Sequence, residues 1–439
     1  MFRSEGFQKY FKNFSWLFAD RVLRLVLIMG TSIFVTRYLG AEKLGQLNYA
    51  LAIVSIGMVL TSMGLNEIIA RDLVRHPERR DELLGSGFAV KMAGGFLLNI
   101  AVFAFAMLKG LDTSIVVLIA LSASGELFKW ATVIEYYFLS KLQGRISAQV
   151  NITATVVGSV YRVVLVMMEA PLMWFACAYL LEFAVFAVSN YFAYHNQGLK
   201  MRSWKPTWRM VRYLLVQSWP MLVYGFALQA QLKIDQVMIF DILRHSIGEA
   251  AAHVEVGQYS VAVKMIEATA FLPVIVQLAL APAIARARVQ DLGLYHERLT
   301  NQYRLMFLLY LVTSVPLYFL AEPLIVWLYG PEFRHAGYLL AVFSVRLVFS
   351  YLGVAKGSFI TNEGLFKFSL VTTVIGAAIN IGLNYLLIPI MRSDGAIWST
   401  LVSFFVSVYL VDLFHSKTRI NFRMMTLGMF TFWKIRSVK

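Results

Sequence analysis

Residues 366–391 read FKFSLVTTVIGAAINIGLNYLLIPIM. Lys367, near its start, is the only charged residue in the run. As a helix the segment would be about 39 Å long at 1.5 Å per residue, enough to cross a hydrocarbon core of roughly 30 Å. A backbone inside lipid must satisfy its own hydrogen bonds. A run of this length with Gly and Ala scattered through it therefore predicts a helix and not a barrel strand, and Pro389 near its end invites a kink.

Eleven further apolar runs accompany it, at 14–38, 45–66, 83–108, 113–139, 148–168, 172–194, 213–241, 257–283, 304–322, 336–360 and 396–415. Twelve spans and their short links consume nearly all of the 439 residues, so no soluble domain fits between them. Composition agrees. Hydrophobic residues make up 59% and charged residues 15% of the chain, against roughly 45–50% and 25% in soluble domains. This balance excludes a soluble enzyme, a disordered chain and a secreted disulfide scaffold. The single cysteine, Cys177, has no intrachain partner and reads as apolar packing. The first run is too long for a cleaved leader and lacks a small-residue cleavage site.

The net charge of +15 is unevenly placed. One set of alternate links carries Arg71, Arg75, Arg79 and Arg80, then Lys141 and Arg145, then Lys200, Arg202, Lys205, Arg209 and Arg212, then Arg286, Arg288 and Arg298. The N-terminus adds Arg3, Lys9 and Lys12, and the tail adds Lys417, Arg419, Arg423, Lys434, Arg436 and Lys439. The opposite set holds Lys43, Lys109, Arg244, Arg334 and Arg392. The positive-inside rule then puts both termini in the cytoplasm. Basic charge dispersed over separate links also argues against nucleic acid as a partner. Residues 2–14 mix Phe2, Phe7, Tyr10, Phe11 and Phe14 with basic residues, and 417–439 mix Phe422, Met425, Phe430 and Trp433 with theirs. Both suit short amphipathic helices on an anionic leaflet, with a frayed basic tail as the alternative for the second.

Gly45-Gln46-Leu47-Asn48-Tyr49-Ala50 opens the second span, and Gly257-Gln258-Tyr259-Ser260-Val261-Ala262 opens the eighth. Six spans separate them, so two halves would share one orientation. The expected organisation is an N-terminal lobe at 1–194, a basic linker at 195–212, a C-terminal lobe at 213–415 and a basic tail at 416–439.

Ionisable residues inside spans are informative, because each costs about 2.5–3.5 kcal/mol at a helix centre on insertion scales. Asp20 and Arg24 are four apart, and Glu126–Lys129 and Lys264–Glu267 are three apart, as helical neighbours are. Lys233 shares a stripe with Gln229 and Gln236, while Asp235 points to another face. Lys91, Lys356 and Arg21 lie toward span ends, where snorkelling is open to them. Arg24, Lys233, Lys264 and Arg346 lie deeper and predict a polar interior. Several fixed cations suit an anionic cargo such as a pyrophosphate. Asp20, Asp235 and Glu267 are candidates for a coupling proton or sodium ion, their other role being to balance the cations. Enzymatic motifs are missing: Gly85-Ser86-Gly87-Phe88-Ala89-Val90-Lys91 lacks the Gly-Lys pair of a phosphate-binding loop. The seven histidines are scattered, so neither a metal site nor a bound cofactor is expected.

Arg37-Tyr38-Leu39-Gly40-Ala41-Glu42, Ile234-Asp235-Gln236-Val237-Met238-Ile239, the Val256–Ala262 stretch with Leu272-Pro273 and Ala281-Pro282, Leu328-Tyr329-Gly330-Pro331-Glu332-Phe333, and Asn380 to Asn384 with Ile388-Pro389 carry a resemblance. In their order and spacing the chain resembles the polysaccharide-transporter branch of the multidrug/oligosaccharidyl-lipid/polysaccharide exporter superfamily, most closely the bacterial O-antigen flippases. It departs from the pattern after Ile388-Pro389 and at Ile397. The resemblance implies an all-α polytopic membrane protein of twelve transmembrane helices in two six-helix lobes around a central cavity. It implies alternating-access movement of an undecaprenyl-pyrophosphate-linked oligosaccharide across the bacterial inner membrane, with membrane lipids and a polymerase and chain-length regulator of the same pathway as partners. By position, Arg24, Lys91, Lys129, Arg162, Lys233 and Lys264 are the candidates to line that cavity, joined by Arg346 from the charge reading. Rival readings are an exporter of drugs or of lipid-linked peptidoglycan precursors, a membrane-embedded glycan polymerase, and a scaffold. Embedded cations disfavour a cationic drug, and the outer link at about 242–256 is thin for an enzyme.

Overall fold

The computed structural model describes the backbone of residues 5–435 and the side chains from residue 15 onward, residue 17 apart. The N-terminal amphipathic side chains expected at 2–14 therefore lie outside the described residues. Every element among the described residues is helical, and each of the twelve apolar runs falls on helix.

Among the described residues, nine helices are long and apolar enough to cross a membrane, or ten if a bent pair counts as one. The difference from twelve has three physical causes. The first two runs lie on one continuous stretch, Phe18–Arg75, interrupted at Gly40. The tenth run is the bent pair, Pro331–Ser344 and Leu347–Glu363, at 46°. The seventh run lies on Trp208–Ile247, which carries Gln217, Gln229, Gln231, Lys233, Asp235 and Gln236 and is too polar to stand among the nine.

The breaks have local reasons. Gly40 adopts φ 68°, ψ 177°, open to glycine and strained for other residues. The eighth run divides into Glu249–Thr269 and Phe271–Gln290. Pro273 cannot donate to the carbonyl four residues back, which is that of Thr269, and the Tyr351 hydroxyl lies 3.4 Å from this carbonyl as a donor.

The chain forms two compact units. The first runs to Leu39 and then covers Gln46–Gln229; the second holds Gly40–Gly45 and the chain from Ala230. The first unit packs Leu65, Ile69, Leu84, Phe138 and Tyr194 into its core. In the second, Phe333, Phe343, Tyr351 and Phe359 are buried. The helix Arg80–Leu108 exposes Phe96, Leu97, Ile100, Phe103 and Met107, a face that suits acyl chains and would be a liability in water.

Both glycines of the sequence repeat sit at close crossings within the second unit. A Cβ on Gly45 would overlap the His253 carbonyl oxygen, and a Cβ on Gly257 would overlap that of Ala41. A backbone carbonyl cannot rotate away as a side chain can. Gly257→Ala is therefore expected to destabilise the protein by about 1–3 kcal/mol, the usual cost of overpacking. Thermal unfolding of the purified protein checks this, and an unchanged midpoint would show that the crossing is loose. Gly353 and Gly357, four residues apart on one helix, meet only the side chains of Val408 and Gln277.

The tail forms a short helix, as one of the two expectations has it, but one face of it is docked on protein. Arg419–Phe430 is a helix with Asn421, Met424, Met425 and Gly428 buried, so Met425 faces protein, not lipid. The Tyr303 hydroxyl donates to Asn421 Oδ1 at 2.6 Å, and Arg304 Nε donates to Thr431 Oγ1 at 3.0 Å. This helix is a docked part of the second unit.

Candidate functional site

In the first unit most of the embedded charges are paired. Asp20, 3% exposed, pairs with Arg24 at 2.9 Å, one helical turn away as the spacing predicted. Glu126 pairs with Lys129 at 2.5 Å within the tight-helical stretch Gly125–Ala131, and Thr61 donates to Glu126 Oε2 at 2.6 Å. The Lys129 ammonium also lies 4.7 Å from the Phe183 ring centroid. Glu135 accepts from Asn151 at 2.8 Å and interacts through space with Arg24, Asp20 and Lys91. Arg162 reaches across helices to Glu182 at 2.8 Å and lies over the Tyr179 ring at 5.0 Å.

Lys91 differs from these. It is 3% exposed and so does not snorkel. Its ammonium donates to the neutral amide oxygen of Asn66 at 3.0 Å, and its interactions with Glu126, Glu135 and Glu67 act through space, opposed by Lys129.

The second unit holds a pair, a ring and a boxed cation. Lys233 bonds Glu267 at 2.7 Å, so this carboxylate serves a cation on another helix. Lys264 lies three residues from it on Glu249–Thr269. Asp235 is 1% exposed and has partners other than those of Lys233. Its Oδ2 accepts from the Tyr259 hydroxyl at 2.5 Å and lies 2.5 Å from the Thr400 hydroxyl, and its Oδ1 accepts from Asn384 at 2.7 Å. Thr400 also lies 2.9 Å from the Ala396 carbonyl, and Asn380 adjoins both Thr400 and Asn384. The Oδ1 of Asn384 is buried without a hydrogen bond among the described residues. Carboxylate, hydroxyl, carbonyl and amide oxygens thus converge on one buried spot.

Arg346 is buried between the rings of Phe343 and Phe404, at 4.5 and 4.6 Å, with its Nε unbonded among the described residues. It interacts through space with Tyr259, Glu267 and Asp235. Stacking on two ring faces is a favourable setting for a guanidinium.

The sequence reading named Asp235 but missed Tyr259, Asn384 and Thr400 as its partners. Asn380 and Asn384, four apart in an otherwise apolar run, were the available signal for a polar face. Thr400 offered none. The reading also left Lys356 free to snorkel. It is buried and bonds Asp412 at 2.6 Å. No group of three His, Cys, Asp or Glu side chains placed to hold a metal occurs among the described residues.

Residues 10–288 match the family model described as polysaccharide biosynthesis protein. Among solved structures, the chain is similar to an inward-facing multidrug resistance MATE family transporter of the MOP superfamily, at 16% identity, 93% coverage of this chain, 96% of that one and a TM-score of 0.66. It is similar to an outward-facing MATE family transporter at 13% identity, 95% and 96% coverage and a TM-score of 0.65. It is similar to the lipid II flippase MurJ in an inward closed conformation at 13% identity, 95% and 91% coverage and a TM-score of 0.66. At these identities the likeness is one of fold. No curated protein matches the chain.

Proposed function

Since the chain belongs to the polysaccharide biosynthesis protein family and has the fold of multi-pass membrane transporters, we propose that it is a flippase for an undecaprenyl-pyrophosphate-linked oligosaccharide, an O-antigen or similar repeat unit. It works by alternating access in the bacterial inner membrane with both termini cytoplasmic. The observation that carries this reading is the state of two embedded cations. Lys91 is buried on a neutral amide, and Arg346 is buried between two rings. Neither hydrogen-bonds a carboxylate among the described residues. Burying such charges is costly, and an anionic headgroup would offset that cost for each. Arg24, Lys129, Arg162 and Lys233 are each met by a carboxylate and, with Lys264, stand as further candidates to line the cavity. The fold shared with a flippase of a lipid-linked precursor supports the lipid-linked class of cargo.

The experiment is surface-glycan display in cells whose own copy of the gene is deleted. Lys91→Gln and Arg346→Gln are each expected to lower display about tenfold or more, in the range of coupling lost with one charged contact, at unchanged protein level in the membrane. Wild-type display from the variant carrying both changes would remove these cations from the mechanism.

A further inference from the structure

The tail helix Arg419–Phe430 has two unlike faces. Its buried face docks on the second unit. On the other, Ile420, Arg423, Leu427 and Phe430 recur at helical spacing and are all exposed, Phe430 at 71%. Trp433, just beyond, is 66% exposed. A groove of about 480 Å³ lies between this stripe and the start of the helix Leu292–Tyr329. Three cations line it, Arg304, Arg423 and Lys434, against one carboxylate, Glu297, with Ile420 and Leu427 as apolar walls.

Arg304 is held in place rather than waving in solvent. Its Nε is bonded to Thr431 and its Nη1 to Asn301 Oδ1 at 2.7 Å. Its Nη2 has no hydrogen bond among the described residues. The groove also sits at a telling level. Arg304 opens the apolar run 304–322, and the tail helix follows the run 396–415, so both spans leave the hydrocarbon beside it. Exposed Trp and Phe at that level are the usual interfacial anchors. A water-facing groove would not present an apolar stripe next to fixed cations, whereas a phosphodiester on two acyl chains needs both.

We propose that this groove holds the phosphate of an anionic phospholipid of the surrounding bilayer, with its acyl chains along Leu427 and Phe430. This site is separate from the embedded charges of the transport reading and does not depend on it.

The test uses the purified full-length protein, with phosphatidylglycerol and phosphatidylcholine of identical acyl chains. Native mass spectrometry counts the retained lipid, and thermal unfolding reports its stabilising effect. Wild type should retain phosphatidylglycerol in preference to phosphatidylcholine. The variant Arg423→Ala with Lys434→Ala changes only exposed side chains and should bind phosphatidylglycerol more weakly, by about fivefold per basic residue and so roughly 25-fold for the pair. The charge-preserving variant Arg423→Lys with Lys434→Arg should keep the preference. Equal retention of both lipids by wild type, or an undiminished preference in the alanine variant, would overturn the proposal. An equal thermal shift from glycerol phosphate without acyl chains would overturn the assignment to lipid.

Discussion

Lys356→Met is expected to destabilise the protein by about 3–5 kcal/mol, the cost of leaving one member of a buried ion pair alone. The Lys356 ammonium lies 2.6 Å from Asp412 Oδ1 and also bonds the carbonyls of Val408 at 3.0 Å and Ser407 at 3.5 Å. Those carbonyls belong to a wide π turn, Phe405–Tyr409, followed by a tight turn, Leu410–Leu413. Regular i to i−4 bonding is interrupted there, and the lysine supplies the missing donor. Asp412 is fully buried, and its Oδ2 accepts from Asn421 at 2.7 Å. Asn421 accepts in turn from Tyr303, so the pair also anchors the tail helix. Asp412→Leu alone should cost a similar amount by stranding the ammonium. The double variant should recover most of the loss, because an apolar pair replaces two charges, though the two carbonyls stay unbonded. Unfolding midpoints of the four proteins give the coupling, expected at about 2 kcal/mol or more for groups in contact. Additive losses would show that the two residues act separately.

Lys356 marks where sequence reasoning reached its limit. The spans were legible because lipid demands long apolar runs, and 366–391 states that demand without help from packing. Asp20–Arg24 and Glu126–Lys129 were legible because helical spacing alone brings them together. Lys356–Asp412, Arg162–Glu182 and Lys233–Glu267 join different helices. No periodicity encodes such pairs, since they exist only once helices have packed. Lys356 lay near a span end, where a long side chain can usually reach water, and only packing shows that it turns inward. Thr400 was invisible for a similar reason: a threonine in an apolar helix normally bonds its own backbone, as this one also does to Ala396. The tail was legible only in part. Its mixture of aromatic and basic residues reads as a surface helix, yet Asn421 and Gly428 fix it against Tyr303.

Asp235→Asn is expected to lower transport roughly 100-fold, toward the upper end of single-site coupling effects, while the protein stays folded. Three carboxylates were candidates for ion coupling, and their surroundings separate them. Asp20 is paired with Arg24 at 2.9 Å and Glu267 with Lys233 at 2.7 Å, so each charge is already met. Asp235 has no Lys or Arg within ion-pair distance among the described residues; its partners are Tyr259, Asn384 and Thr400. Arg346 acts on it only through space. A buried carboxylate among neutral oxygens and hydroxyls is the setting in which a transported cation gains most, since it replaces an absent counter-charge. The unbonded Oδ1 of Asn384 offers such a cation one more oxygen. Asparagine keeps the shape and can still accept from Tyr259, but it carries no charge. Wild-type protein should therefore be stabilised against heat by sodium chloride over choline chloride if sodium is the ion, or should show transport that follows the proton gradient in sodium-free medium if it is the proton. The Asp235→Asn variant should lose whichever response wild type shows, and Asp20→Asn and Glu267→Gln should keep it. A variant at position 235 that retains both transport and the cation response would move the coupling site away from this ring.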